Sequence, residues 1–404
     1  MSGARGVILA LLLGVALAAD AARAQELVVS FGGDVNFARS RQSPLPDQIH
    51  KFGALAIETA TAALSRYWTS DLNLVNVETV VSERDSAGPP GKAFVFRSHP
   101  ESFRHLMDLG VNGFSLANNH AFDHGWRGLQ DTLAFFEAER RERPDPILFS
   151  GIGRGRAAFR PAVESFNGVR VAFASASFGS GAFRPLGDNI GMNYVTVPGD
   201  FTAVLRGLRE ASADIRILSL HYGTENMIRL NPEQRAMFRR GIEEAGVNLV
   251  IGHHPHVVRA VEAAPDKGRA IFYSMGNLLF IGGAEKDSAP LGQDYGLLGR
   301  AYFQRNGGGN WQIAALEAAP MRSVHLAPVP VRGDRLRQTI DHLNLLSAQS
   351  VGEAAVTFTA SPLADQPTGL ACFGDRWGPR ATTLCCARLA GPKPQCDLPD
   401  PMGD

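Results

Sequence analysis

Short apolar runs, each ending on a cluster of polar, acidic or histidine residues, dominate the hydrophobic pattern of this chain. Leu27–Ser30 runs into Gly32-Gly33-Asp34, and Leu72–Val77 runs into Glu78. Between them, Ala54–Trp68 carries apolar residues at helical spacing, which predicts a strand–helix–strand unit of the kind that builds mostly parallel sheets. The pattern then repeats. Pro100–Leu109 reads as a helix leading into a short strand at Gly113–Leu116; Asn118-Asn119-His120 follows, then a helix from about Trp126 to Arg140. Val169–Ser175 and Ile215–Leu220 read as apolar strands, the second ending on His221, and Val247–Ile251 ends on Gly252-His253-His254-Pro255-His256. A last buried strand, Ala270–Ser274, runs into Gly276-Asn277. Residues 305–332 read as two further strands closing the sheet, and Gly333–Ser347 as a helix covering it. The class predicted is α/β.

In open α/β sheets ligands bind outside the carboxyl ends of the strands, so these clusters fall where a shared site would form. Singly, each is weak. A Gly-Asp after a strand is usually a turn, and Asn118-Asn119-His120 alone reads as a helix cap with a partnered histidine. His253, His254 and His256 are harder to explain by packing, because three imidazoles around a proline at the mouth of an apolar strand fill no core. Together, the strand ends deliver Asp34, Glu78, Asn119 with His120, His221, and His254 with His256. That mixed oxygen and nitrogen set suits divalent zinc, manganese or iron. In an extended His254-Pro255-His256 segment, alternation turns both imidazoles into one cavity and His253 to the opposite side. Glu78 has two carboxylate oxygens with which to bridge two ions, and a pair of ions clamps an attacking hydroxide and a leaving oxygen. Such chemistry is hydrolytic. Glu225, four residues after His221, reads as an orienting or substrate-contacting residue or as half of a surface ion pair. Arg39, Lys92 and Arg97 stand near the first two clusters as basic residues that could meet an anionic ligand.

Composition narrows the setting. Forty basic and forty acidic residues among 404 give no electrostatic footprint for nucleic acid. Arg5, the apolar run Val7–Ala19 and Ala22-Arg23-Ala24 form a secretory leader over residues 1–24, cut before Gln25. That apolar core is shorter than the roughly 20 residues a membrane-spanning helix needs. The mature chain is therefore expected to be soluble in the periplasm or secreted. All four cysteines, Cys372, Cys385, Cys386 and Cys396, lie near the C-terminus, away from the histidines. Export and an even count point to two disulfides, with a bond between adjacent Cys385 and Cys386 disfavoured by strain. Residues 351–404 read as an appended, stapled tail behind a main domain over residues 25–350.

The clusters also resemble the successive blocks of a known family. Gly33-Asp34, Asn76-Val77-Glu78-Thr79, Ala117-Asn118-Asn119-His120 with Asp123 and Gly125, Leu220-His221-Tyr222-Gly223-Thr224-Glu225, Gly252-His253-His254-Pro255-His256-Val257, and Tyr273-Ser274-Met275-Gly276-Asn277 look like those of the CapA family. The resemblance runs in order from about residue 28 to 281. It implies a calcineurin-like metallophosphatase sandwich, mixed β-sheets flanked by helices, and one or two divalent ions. Carried over by residue, it implies that Asp34, Glu78 and His256 hold one ion and that Glu78, Asn119, His221 and His254 hold the other. His120 is then the general acid or transition-state donor, oriented by Asp123. Two positions depart from the phosphoesterase pattern: Asn36 stands where a histidine ligand is usual, and Glu78 replaces a bridging aspartate.

The function this implies is metal-dependent hydrolysis of a phosphoester or a gamma-glutamyl amide in the synthesis or processing of capsule or poly-gamma-glutamate. Its partners would be an anionic polymer or phosphoester substrate and the membrane capsule-synthesis machinery. The competing expectations are a non-catalytic, polymer-binding capsule accessory protein and a periplasmic phosphoesterase. Within the last class, a nucleotidase is disfavoured because the chain lacks a separate nucleoside-binding domain with stacking aromatics.

Overall fold

The computed structural model describes residues 26–37, 57–84, 92–281, 290–361, 366–388 and 396. The leader over residues 1–24 and Arg39 lie outside the described residues. The first apolar runs form parallel strands β1 (Glu26–Asn36), β2 (Leu72–Val77), β3 (Gly113–Ser115) and β4 (Leu148–Ser150) of one large sheet. Six later strands form a second sheet: β5 (Ala162–Phe166), β6 (Val169–Ser177), β7 (Ile215–His221), β8 (Leu249–His253), β9 (Val261–Ala264) and β10 (Arg269–Phe272). Its order is β9-β10-β8-β7-β6-β5, parallel in the middle and antiparallel at both edges.

The chain then returns to the first sheet. β11 (Asn277–Phe280) pairs with the end of β1, and β12 (Tyr295–Arg305) pairs with the rest of β1 on the same edge, away from β2, and makes a long antiparallel hairpin with β13 (Trp311–Arg322). Beyond it come β14 (Thr359–Ser361) and β15 (Thr368–Cys372), giving the order β14-β15-β13-β12-β1-β2-β3-β4. The cysteine-bearing segment, read from sequence as an appended tail, thus supplies strands to the main sheet. β15 pairs along β13 from Ala315 to Ala318, because the hairpin's outer edge offers unpaired backbone groups. Both disulfides form, as Cys372–Cys385 and Cys386–Cys396.

Alternation along the strands places the core. On β2, Leu72 and Leu74 face the second sheet while Val75 and Val77 face the outer helices. On β6, Val171 and Phe173 face inward, and Ala172, Ala174 and Ala176 face outward under helices Pro198–Glu210 and Pro232–Ala245. Phe31 of one sheet meets Phe272 of the other edge-on at 4.8 Å. Helices Pro100–Asp108 and Gly125–Glu142 cover the outside of the first sheet, and Gly333–Val351 closes one end of the inter-sheet core through Leu336, Ile340 and Leu343. The helix expected over residues 54–68 is observed as Ile57–Thr61 followed by a single turn at Ser65–Tyr67; residues 54–56 lie outside the described residues. No helix among the described residues is long and apolar enough to cross a membrane.

Candidate metal centre between the two sheets

The inward rows change character toward the carboxyl ends of the strands. β7 presents Ile215, Ile217, Ser219 and His221 on one face; β8 presents Leu249, Ile251 and His253; β2 presents Leu72, Leu74 and Asn76. The same period of two that fills the core with aliphatic groups therefore delivers polar groups to one seam above it. At the change of character, Ser115 Oγ lies 2.7 Å from Ser175 Oγ and 2.9 Å from Ser219 Oγ, joining the two sheets.

Asp34 reaches the seam through an irregularity. The register of β1 shifts against β2 between Phe31 and Asp34, and against β11 between Asp34 and Val35. An irregularity of this kind re-aims a side chain. A Cβ on Gly33 would stand 1.9 Å from the Gly276 carbonyl oxygen, so the close approach of β1 and β11 requires glycine there. Glu78 follows β2 directly and is fully buried, as are Asp34 and His221.

His254 and His256 arrive differently from the expectation of an extended segment. Both have positive φ, 95° and 55°, so two left-handed bends, not strand alternation, turn the imidazoles inward. His253, expected to face away, is the last inward residue of β8 and places Nδ1 3.2 Å from Asp34 Oδ1.

Donor atoms of Glu78, His254 and His256 lie within 4.8 Å of one another, and so do those of Asp34, Glu78 and His221. This grouping differs from the one carried over by resemblance, which put Asp34 with His256 and His254 with His221. His256 turns Nδ1 to Asp34 Oδ2 at 3.5 Å and Nε2 to Glu78 Oε1 at 3.7 Å, so no single nitrogen serves both carboxylates. Asn119 Oδ1 stands 2.8 Å from His221 Nε2. Two residues to which sequence reasoning gave no role hold the donors in place. Asn76 donates to Asp34 Oδ1 at 2.8 Å, and Asn277 Oδ1 lies 2.8 Å from His256 Nδ1. Both sat in the quoted motifs; only their inward register shows what they do.

The donor set fits a divalent ion on an observation of this structure. Both Glu78 carboxylate oxygens and His254 Nδ1 are buried without a hydrogen-bond partner, which is costly unless a cation or proton satisfies them. Burial, with the Asp34 carboxylate beside it, pushes Glu78 well above the usual carboxylate range. Burial acts to raise Asp34 as well, but the facing His253 and His256 imidazoles hold it well below its ordinary value. Burial and neighbouring imidazoles push His221 well down and His254 down to about 3. For His256, burial acts to lower the value, but contacts with Asp34 and Asn277 together raise it. His221 and His254 are therefore neutral lone-pair donors at any ordinary pH.

His120 stands beside this cluster. Its Nδ1 lies 2.6 Å from Asp123 Oδ2, and its Nε2 lies 3.9 Å from Glu78 Oε1. Asp123 also accepts from the Phe96 amide at 2.6 Å and from Lys92 Nζ at 2.5 Å. Lys92 is thus committed to Asp123 and to the Asn119 carbonyl, and Arg97 is buried with its guanidinium on the Ser82 carbonyl. Burial lowers His120 against the pull of Asp123. Phe96, Phe178 and Phe280 flank His120, His254 and His256, with ring centroids at 4.3, 4.4 and 5.3 Å.

Fold and site together define an α/β protein of two facing mixed sheets that gathers carboxylates and imidazoles able to hold a metal at one shared seam. The chain belongs to the bacterial capsule synthesis protein family PGA_cap, whose model matches residues 28–281. The PGA biosynthesis protein CapA of Bacillus subtilis is 28% identical over 318 residues, covering 77% of this chain and 76% of that one. The capsule biosynthesis protein CapA of Bacillus anthracis is 29% identical over 57% of this chain and 52% of its own length. A probable polyglutamine synthesis accessory protein of Mycobacterium tuberculosis is 28% identical over 55% of this chain and 60% of its own. Among solved structures, a novel phosphatase from Mycoplasma pneumoniae (17% identity, TM-score 0.42) covers 79% of this chain and 99% of its own. The calcineurin-like phosphoesterase YfkN of Bacillus subtilis (13% identity, TM-score 0.40) covers 80% and 98%.

Proposed function

We propose that this protein is an exported, metal-dependent hydrolase acting in the synthesis or processing of capsule or poly-gamma-glutamate, on a gamma-glutamyl amide or a phosphoester. The observation that carries the reading is the pair of unpartnered Glu78 oxygens facing Asp34 and the imidazoles of His221, His254 and His256. Family membership and the capsule relatives support the biological setting. One or two zinc, manganese or iron ions held by Asp34, Glu78, Asn119, His221, His254 and His256 would supply Lewis-acid activation of water and of the scissile group.

The chain's own residues do the rest. Asp123, held by Lys92 and the Phe96 amide, accepts the Nδ1–H of His120, which leaves Nε2 facing the cluster. Because burial keeps the ring neutral at rest, Nε2 can accept a proton and return it to a leaving group. The phenylalanines around the seam exclude water and supply flat apolar walls.

A second reading, a polymer-binding accessory protein without turnover, draws on Asn36. It lies fully buried on β1, two residues past Asp34, and offers an amide where an imidazole would complete a second ion's ligands. Elemental analysis and turnover assays with phosphomonoesters, phosphodiesters and gamma-glutamyl peptides separate the two. In a hydrolase, His120→Ala is expected to keep its metal and lose about 10²–10⁴-fold in turnover. Metal-loaded wild type that turns over none of these substrates would leave the accessory reading standing.

A further inference from the structure

The imidazoles of His120 and His256 both have the nitrogen that points away from Glu78 tied to an oxygen. His120 Nδ1 is on Asp123, and His256 Nδ1 is on Asn277. His254 is the exception. Its Nδ1 is buried without a hydrogen-bond partner, and its Nε2 is turned to Glu225. The Glu225 carboxylate stands with Oε1 3.9 Å from that Nε2.

Glu225 itself is half exposed, which by itself would describe a wandering surface side chain, but its backbone is fixed on both sides. Arg259, fully buried, donates from Nη2 to the Thr224 carbonyl at 2.7 Å and from Nε to the Met227 carbonyl at 2.8 Å. The Asn226 amide donates to the Pro255 carbonyl at 2.8 Å, and the Asn226 side chain is held by Gln293 at 2.5 Å. Two residues in this short loop have positive φ, Gly223 at 141° and Asn226 at 59°. An unusual backbone held from below by a buried guanidinium and from the side by the His254-Pro255 bend fixes a geometry rather than filling space.

We propose that Glu225 is the positioning residue for His254. Its carboxylate accepts the Nε2–H and so fixes the tautomer that leaves the buried, unpartnered Nδ1 with a lone pair for the ion. At 3.9 Å the two groups stand within ion-pair range, and the half-exposed carboxylate has room to close to a hydrogen bond. An ion on Nδ1 makes Nε2–H a stronger donor and tightens the contact. Carboxylate–histidine–metal arrangements of this kind raise ligand basicity, and their loss costs about 10–100-fold in metal affinity. The inference rests on the metal reading above and not on catalysis.

The test is zinc affinity of the full chain, measured by competition with a chromophoric chelator, for wild type, Glu225→Gln and Glu225→Ala. Glu225→Ala is expected to bind zinc about 10–100-fold more weakly, with Glu225→Gln in between because its amide oxygen still accepts. Metal-free melting temperatures of both variants are expected to match wild type. In zinc-loaded wild type, long-range proton–nitrogen spectra are expected to show His254 metal-bound at Nδ1 and protonated at Nε2. Zinc affinity unchanged in both variants, a ligating Nε2, or a melting temperature already lowered without metal would each overturn the role of Glu225 while leaving the metal centre intact. A wild-type chain that takes up no zinc would remove both.

Discussion

Glu78 and His256 decide how this site responds to pH. Both are shifted upward, Glu78 by burial and the neighbouring Asp34 charge, His256 by contacts with Asp34 and Asn277 in spite of burial. A raised value means that each holds its proton to higher pH than its free counterpart, and each must release it before an oxygen or nitrogen lone pair can ligate. Metal binding is therefore expected to expel protons, and apparent affinity to rise with pH. His221 and His254 oppose this little, because their lowered values leave them already deprotonated. Calorimetric titration with zinc in two buffers of different ionisation enthalpy, between pH 6 and pH 8, measures the released protons directly. Zero release over that range would contradict the arrangement of charges described here.

At the scale of elements, the junction of β1 and β11 is the part of the fold on which the site depends most. Asp34 is aimed by a register shift that exists because Gly33 lets the Gly276 carbonyl approach to where a Cβ would sit. Gly33→Ala is expected to push the strands apart, cost about 1–3 kcal/mol of stability as an overpacking change, and reduce metal content as Asp34 swings away. Gly199→Ala is the control, since a Cβ there meets nothing within 4 Å. Urea denaturation and elemental analysis of the two variants give the comparison. Equal stability and equal metal content would mean that the junction yields without moving the carboxylate.

The whole molecule is closed by its C-terminal segment. Cys372 ends β15, and Cys385 lies buried in helix Pro379–Arg388, against Val28, Tyr302 and Leu370 on the outer face of the main sheet. The Cys372–Cys385 bridge spans 13 residues, and a loop of that size is worth about 3 kcal/mol through restriction of the unfolded chain. Replacing both cysteines with serine is expected to lower the urea midpoint accordingly while leaving zinc affinity unchanged, because the helix packs on the far side of the sheet from the seam. A double-serine protein as stable as wild type would show that packing alone holds the segment.

Local pattern determined a large part of this protein. The apolar runs marked the central strands, and the polar clusters behind them marked the carboxylates and imidazoles that now meet at the seam, because a strand's hydrophobic period and its end are both local properties. Membership in the capsule synthesis family was legible for the same reason, since its motifs are short and contiguous. Tertiary structure decided the rest. Whether His254 and His256 share a cavity depended on two left-handed bends that sequence alternation does not encode. The roles of Asn76, Asn277 and His253 depended on register between strands far apart in sequence, and that of Glu225 on a buried arginine beneath its loop. The C-terminal cysteines looked like an appended tail because Gly and Pro break periodicity; only the open edge of the β12–β13 hairpin made their segment part of the main sheet.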